Sequence, residues 1–248
     1  MDNIFDVSNK TVIVTGGTRG IGLSIALALK ERGSNVWIHG SNEEKTKIVS
    51  DKYGFKYLSA DLRDLTSIDN MFEKFSKTEK TLDVLINNAG YELHEYLENL
   101  NITDLDNVNN VNFKAPMIIS NKFLPLLKKS DYPSIINISS IHQTVPVKTN
   151  SYYCTAKASL EMFAKIASLE WAKYKIRVNN IAPGAIRTDM NKDLLATYSF
   201  DKWIPLERVG DSEEIVGPVI FLAAKASSYI TGTTIFVDGG YQNNLLRY

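Results

Sequence analysis

The strongest constraint in this chain is a short strand that runs straight into glycines and then into a helix. Thr11-Val12-Ile13-Val14 is an apolar, β-branched run. Thr15-Gly16-Gly17-Thr18-Arg19-Gly20-Ile21-Gly22 follows, and a helical period continues to Arg32. Glycines let a backbone turn sharply and approach a bound group closely. A helix that opens there offers free N–H groups and the positive end of its dipole to phosphates.

The same alternation continues along the chain. Strands are expected at Asn35–His39, Phe55–Ser59, Leu82–Ile86, Ser134–Ile138, Ile176–Ala182 and Thr233–Val237. Helices are expected at Glu43–Lys52, Thr66–Lys77, Ser151–Tyr174 and Ser212–Ala224, with two more within Thr103–Lys129. Strand–helix alternation implies parallel strands with right-handed crossovers. The strands read as continuous apolar runs, as they do when helices cover both faces of a sheet. The expected fold class is therefore α/β, a single Rossmann-type doubly wound domain over residues 1–248 with a seven-stranded parallel sheet and helices on both faces. Residues 188–205 break the rhythm and are expected to form a substrate lid beyond the carboxyl ends of the strands.

Composition narrows the function classes. Lys plus Arg and Asp plus Glu are both 28, so the formal net charge is zero, which argues against nucleic acid as a partner. The single cysteine, Cys154, allows no internal disulfide or multi-cysteine zinc site, and His39, His94 and His142 are too scattered for a metal cluster. No apolar run approaches the roughly 18 residues of a membrane span. The first residues carry acids where a leader peptide carries bases. The expectation is a cytoplasmic protein with a small-molecule substrate, no metal, no membrane and no nucleic acid.

The glycine turn suits a dinucleotide. After the second strand the chain reads His39-Gly40-Ser41-Asn42, and the nearest acids, Glu43 and Glu44, come only where the next helix begins. An NAD site commonly has an acid here to hold the ribose hydroxyls, whereas an NADP site avoids it or supplies a base. Gly40 leaves room, Ser41 and Asn42 can donate hydrogen bonds, and Arg19 can reach a 2′-phosphate. NADP(H) is thus the preferred cofactor, with NAD(H) possible. The alternative for Arg19 is a solvated loop residue.

Tyr153 and Lys157 stand four apart on the long helix and share a face. A free tyrosine, with a pKa of about 10, is a poor base near neutrality. A neighbouring ammonium favours the phenolate, making Tyr153 a candidate acid/base. Tyr152 reads as a packing aromatic.

In one order the chain carries the glycine turn, Asn87-Asn88-Ala89-Gly90, Ser140 thirteen residues before Tyr153, Lys157, and Pro183-Gly184-Ala185-Ile186-Arg187-Thr188. Together with the ending Thr231–Gly240, this resembles the short-chain dehydrogenase/reductase family over essentially the whole chain. The resemblance implies an oxidoreductase with four catalytic residues. Ser140 would bind the substrate oxygen, Tyr153 would transfer the proton, Lys157 would bind the nicotinamide ribose, and Asn112 would support a water relay. For Asn112 the bland alternative is a polar residue in a helix kink. The resemblance also implies that Gly16, Thr18, Arg19, Gly20, Ile21, Gly22, Asp61, Leu62, Asn88, Ala89, Gly90, Pro183, Gly184, Ile186 and Thr188 contact the cofactor, beside Ser41 and Asn42 from the turn after the second strand. Enoyl reductases of the superfamily spread the tyrosine and lysine further apart, and sugar-nucleotide epimerases have a different glycine turn.

For the substrate, two branches compete. The 3-oxoacyl-acyl-carrier-protein reductases share most of the pattern, but their basic carrier-docking positions hold Asp131 and Tyr174 here, with Lys128, Lys129, Lys173 and Lys175 nearby. Ser140-Ile141-His142-Gln143, Pro183–Ile186 and Asn191 resemble the glucose 1-dehydrogenase and gluconate dehydrogenase branch. His142 and Gln143 follow the serine directly, where polar side chains suit a sugar or polyol. Alternatively, His142 caps a loop and sees no substrate. A non-catalytic NADP-binding sensor is the reading from another class; the intact residue set argues against it. Family members are commonly tetramers, and apolar residues on the long helix (Ala156, Ala158, Leu160, Phe163, Ala164, Ile166, Ala167, Leu169) exceed what one sheet contact needs, so a homotetramer or homodimer is expected.

Overall fold

A computed structural model describes residues 4–188 and 199–244. Seven strands form one parallel sheet: β1 (Thr11–Val14), β2 (Asn35–Gly40), β3 (Lys56–Ser59), β4 (Val84–Asn87), β5 (Ser134–Ile138), β6 (Arg177–Pro183) and β9 (Thr234–Val237). Their order is β3-β2-β1-β4-β5-β6-β9. The expected doubly wound architecture is therefore observed. A two-stranded parallel ribbon, β7 (Ile186–Arg187) with β8 (Gly210–Asp211), was not foreseen. Each of these strands has two residues, too short for a period-two pattern to register.

Alternating side chains divide the sheet's two faces. Ile13, Leu85, Ile135 and Val178 pack with α3 (Ser67–Thr78), α5 (Ala115–Lys122) and α7 (Ser151–Glu170). Val12, Val14, Ile86, Ile136 and Ile181 pack with α1 (Gly20–Glu31), α2 (Glu43–Tyr53) and α8 (Val216–Ala223). The first layer is pinned by aromatic rings: Phe75 lies 5.1 Å from Trp37 and 5.4 Å from Phe123, centroid to centroid.

The two helices expected within Thr103–Lys129 are more divided than the sequence suggested. α4 (Ile102–Asn109) passes into a π-helical turn, Asn110–Lys114, before α5, and a short α6 (Leu124–Leu127) follows. π turns are rare single-turn insertions that cluster at functional sites. The segment Ser212–Ile215 is a 3₁₀ turn with a capping box between Asp211 and Glu214, not the first turn of the last helix. Helix α7 stops at Glu170, and Lys175 with φ of 60° closes the 3₁₀ turn that follows.

Buried amides line the carboxyl half of the central strands. Asn87 Nδ2 donates to Asn137 Oδ1 at 2.9 Å, and Asn137 Nδ2 donates to Asn180 Oδ1 at 2.9 Å. The register places these residues opposite one another on β4, β5 and β6. Among the described residues no helix is long and apolar enough to cross a membrane. Of the expected lid, residues 189–198 lie outside the described residues, as does Asn191; Phe200–Trp203 form a 3₁₀ turn.

Candidate active site

The carboxyl ends of the strands open on a cleft of about 680 Å³, within the range of small-molecule and cofactor sites. One end is built by the glycine turn. Asn88 reaches back from β4 and donates to the carbonyls of Thr15 and Gly16 at 2.9 and 3.1 Å. Thr15 Oγ1 accepts from the N–H groups of Asn88 and Ala89 at 2.9 and 3.0 Å. A Cβ at Gly22 would stand 2.3 Å from the Gly16 carbonyl oxygen, so the helix can approach the turn only with glycine there. Gly20 has φ of +51°, in the left-handed region, and a Cβ there would touch the Thr188 side chain at 3.5 Å. The N-terminus of α1 carries no side-chain cap, which leaves its N–H groups for a ligand. This cradle fits a diphosphate.

His39 supports the turn from below. It is buried, its Nε2 lies 3.0 Å from the Ala60 carbonyl, and its Nδ1 lies 3.4 Å from the Gly16 N–H. The partners assign the neutral tautomer: Nε2 donates and Nδ1 accepts. Burial pushes the imidazole down to about 4, against weaker opposing effects of the Ala60 carbonyl and Asp61.

Thr18, Arg19, Ser41, Asp61, Leu62, Ala89, Gly90, Pro183, Gly184, Ile186 and Thr188 also line the cleft. Asp61 is held by Arg63, whose Nη2 stands 2.7 Å from Oδ2, and the guanidinium keeps that carboxyl below its ordinary value. Asn42 caps α2: its Oδ1 accepts from the Lys45 N–H at 2.9 Å. Gly40 lines the cleft, and a Cβ there would stand 2.3 Å from Thr46 Oγ1.

Ser140, Tyr153 and Lys157 meet at the other end. Ser140 caps the 3₁₀ turn Ile141–Gln143 by accepting from the His142 N–H at 3.1 Å. Lys157 is buried, donates to the Ile138 carbonyl at 2.9 Å and lies 5.3 Å from the centre of the Tyr153 ring. Burial and then the Glu92 carboxylate push the Tyr153 phenol up, while a hydrogen bond with Ser140 pulls it down. Burial pushes the Lys157 ammonium down to about 8, with Glu92 opposing. Desolvation in this arrangement opposes the charged form of both groups. Tyr152 is buried against Val108 and Ala156, and its hydroxyl accepts from the Asn101 N–H at 2.9 Å.

Two further residues are buried behind the cleft. Asn112 is fully buried in the π turn, where Nδ2 donates to the carbonyls of Tyr91 and Val108 at 2.6 and 2.9 Å. It braces the wall of the cleft and does not line it. Gln143 is also buried and turned away from the cleft: it accepts from Ser139 Oγ, and its Nε2 lies 3.4 Å from Thr234 Oγ1. Gln143 is therefore corrected from a substrate contact to part of the support under Ser139. His142 does line the cleft, with Nδ1 2.9 Å from the Val145 carbonyl. Sequence reasoning missed Glu92, His94 and Asn150, which also line this end. Glu92 and His94 sit in a loop without periodicity, and Asn150 is separated from them by more than fifty residues, so no spacing could have joined them.

Comparison with known proteins places this geometry. A family model described as "Enoyl-(Acyl carrier protein) reductase" matches residues 16–242. A 3-oxoacyl-acyl-carrier-protein reductase of Chlamydia muridarum is 39% identical over 242 residues, covering 94% of this chain and 97% of that protein. The chain belongs to the short-chain dehydrogenase/reductase family. Another member, 5-keto-D-gluconate 5-reductase of Escherichia coli, is 29% identical over 97% of this chain and 98% of its own length. A gluconate 5-dehydrogenase from Burkholderia cenocepacia, solved with NADP and tartrate, superposes with a TM-score of 0.90 at 29% identity, covering 97% of this chain and 98% of that one. The chain is thus an oxidoreductase of this family, and the family binds NAD(P).

The buried His39 sets a pH limit on the fold. Its pKa is lowered in the folded chain, from 6.5 to about 4, so below pH 6.5 the unfolded chain binds the additional proton. Protonation would also set an Nδ1–H against the Gly16 N–H. Stability is full above about pH 6.5 and is lost as pH falls toward 4, by about 3 kcal/mol from this group. Urea unfolding at pH 7 and pH 4.5 should show the loss, and His39→Gln should flatten it; an equal loss in the variant would remove His39 as its source.

Proposed function

We propose that this chain interconverts a carbonyl and a secondary alcohol on a sugar, polyol or related keto compound in the cytoplasm, using NADP(H). The observation that carries the reading is the polar lining around the Ser140–Tyr153–Lys157 end, where Glu92, His94, His142 and Asn150 converge. The cofactor supplies or accepts the hydride. Tyr153 gives the proton to the carbonyl oxygen, or takes it from the hydroxyl, while Ser140 holds that oxygen. Lys157 binds the nicotinamide ribose, and Asn112 holds the wall behind it and supports a water relay. Polar groups left without partners reject an apolar analogue more strongly than a missing methylene does.

A 3-oxoacyl-acyl-carrier-protein reductase is the second reading, favoured by the 39% identity of that relative. Against it, Lys128 and Lys173 lie over the Tyr174 ring, at 3.7 and 5.2 Å, which engages those cations at the edge where a carrier would dock. A panel of ketoses, polyols, keto-aldonates and acetoacetyl thioesters, followed at the reduced-nicotinamide absorbance, separates the two. The expected result is a higher kcat/KM for a polyhydroxylated compound than for the thioester, with Tyr153→Phe losing about 10²- to 10⁴-fold. Efficient turnover of the thioester and none of any sugar or polyol would establish the second reading. No turnover of any compound would favour a cofactor-binding sensor.

The cofactor preference rests on Arg19 and Ser41, which line the cleft beyond β2, and on Glu43 and Glu44 being taken into α2. NADPH should bind more tightly than NADH, and Arg19→Ala should weaken NADPH by roughly 10- to 100-fold, as loss of a charge-assisted hydrogen bond does. Equal dissociation constants for the two cofactors in the unaltered chain would sink the preference. Gly40→Asp is a poor test because Thr46 fills that space.

A homodimer or homotetramer is supported by Met162, Ile166 and Leu169, which are exposed on α7 while Leu160, Phe163, Ala164 and Ala167 are buried in the core. Sedimentation should report more than one chain, with Leu169→Glu shifting the mass toward the monomer; a monomeric unaltered chain would exclude this role for α7.

A further inference from the structure

Glu92 stands in the cleft wall that leads from β4 to α4. Three contacts fix this wall against the entry to α7. The Glu95 N–H donates to the Thr149 carbonyl at 2.6 Å, Glu95 bridges to Asn150, and His94 Nδ1 lies 3.4 Å from Thr149 Oγ1. Asn150 is 1% exposed, and its Nδ2 donates to Glu92 Oε1. His94 Nε2 approaches the same oxygen at 3.4 Å and is a charge partner only when protonated. Among the described residues Oε2 accepts no hydrogen bond. The carboxylate is therefore held through one oxygen by a buried amide, on a residue that lines the cleft.

Its charge reaches the reacting groups. Glu92 disfavours the Tyr153 phenolate and favours the Lys157 ammonium. A fixed anion in a partly closed cleft attracts hydrogen-bond donors and repels other anions more strongly than the same anion in open water. Hydroxyl-to-carboxylate bonds are among the stronger neutral–charged pairs.

We propose that Glu92 is a specificity-determining residue that accepts a hydrogen bond from a substrate hydroxyl and turns away substrates carrying a carboxylate at that end, so that the substrate is an uncharged polyol or ketose. This deepens the sugar-or-polyol reading above and rests on it for the substrate class. It also separates this chain from relatives named for gluconate and keto-gluconate. The charge effect belongs to Glu92 whatever the substrate, so it can be measured apart from turnover.

Tartrate and threitol have the same four-carbon chain, with and without terminal carboxylates. Their binding to the chain saturated with oxidised cofactor is to be measured by calorimetry, for the unaltered protein and for Glu92→Gln. Glutamine keeps the shape and an oxygen for the Asn150 amide. The expected result is that Glu92→Gln tightens tartrate about tenfold or more, an amount equal to about 1.4 kcal/mol, while threitol binding is unchanged or weaker. Tartrate binding detected only in the variant supports the proposal equally. A tartrate affinity that does not move, or no tartrate binding in either protein, overturns it. If tartrate tightens but the panel shows no turnover of any sugar or polyol, the role of Glu92 stands and the substrate reading falls. If the panel succeeds but tartrate does not move, the reverse holds.

Discussion

A row of side-chain amides ties the central strands together where their carboxyl ends approach the cleft. Asn87, Asn137 and Asn180 are each buried to within 2% of full burial. Asn87 and Asn137 each donate to the next amide in register, Asn87 Nδ2 also lies 3.2 Å from Ser120 Oγ while its Oδ1 has no partner among the described residues, and Asn180 Nδ2 ends 3.4 Å from Thr234 Oγ1. Buried amides without partners are costly, so the row admits one register. A one-residue slip of any strand would swing its amide to the other face and leave two groups unpaired. The cleft depends on this constraint. Asn88 follows Asn87 directly and braces the glycine turn. Ser139 and Ser140 follow β5, and Ser139 is tied through Gln143 to the same Thr234 that ends the row. Cofactor cradle and reacting end are thus both set by strands locked at one level.

Much of this could be read in the sequence because it is local. The strand–glycine–helix passage depends on neighbours in the chain, and Tyr153 and Lys157 share a face through helical spacing alone. The placement of Gly16, Gly22, Asn88, Ser140 and Thr188 around one cleft follows from the parallel topology. What escaped depends on contacts between distant segments or on competing local uses. Asn42 also caps α2 through Oδ1, a use that its place before Glu43 allows but that the cofactor reading did not need. Gln143 lies beside a cleft residue in sequence, yet the 3₁₀ turn points it at Ser139 and Thr234. The π turn at Asn110–Lys114 has no periodic signature, so the sequence could assign Asn112 a role but not the burial that fixes it between Tyr91 and Val108. Glu92 needed Asn150 to become visible.

The site also shows how a chain with no net charge makes strongly polar surroundings. Around the glycine turn, positive potential comes from backbone N–H groups and a helix end, with His39 kept neutral beneath them. A charged imidazole there would compete for the Gly16 N–H position, and burial prevents it. Asp61, the acid that lines this part of the cleft, is engaged by Arg63 and so presents little net field.

The reacting end is arranged oppositely. Lys157 is taken out of water and held to one carbonyl, so its ammonium is less favoured than in solution, and Tyr153 is desolvated beside it. Glu92 acts on both in opposite ways, because an anion supports a nearby cation and resists a nearby anion. The lysine thus keeps its charge near neutral pH with help from Glu92, and the phenol keeps its proton. A tyrosine that holds its proton is ready to donate to a carbonyl oxygen, whereas one already ionised is ready to remove a proton from an alcohol.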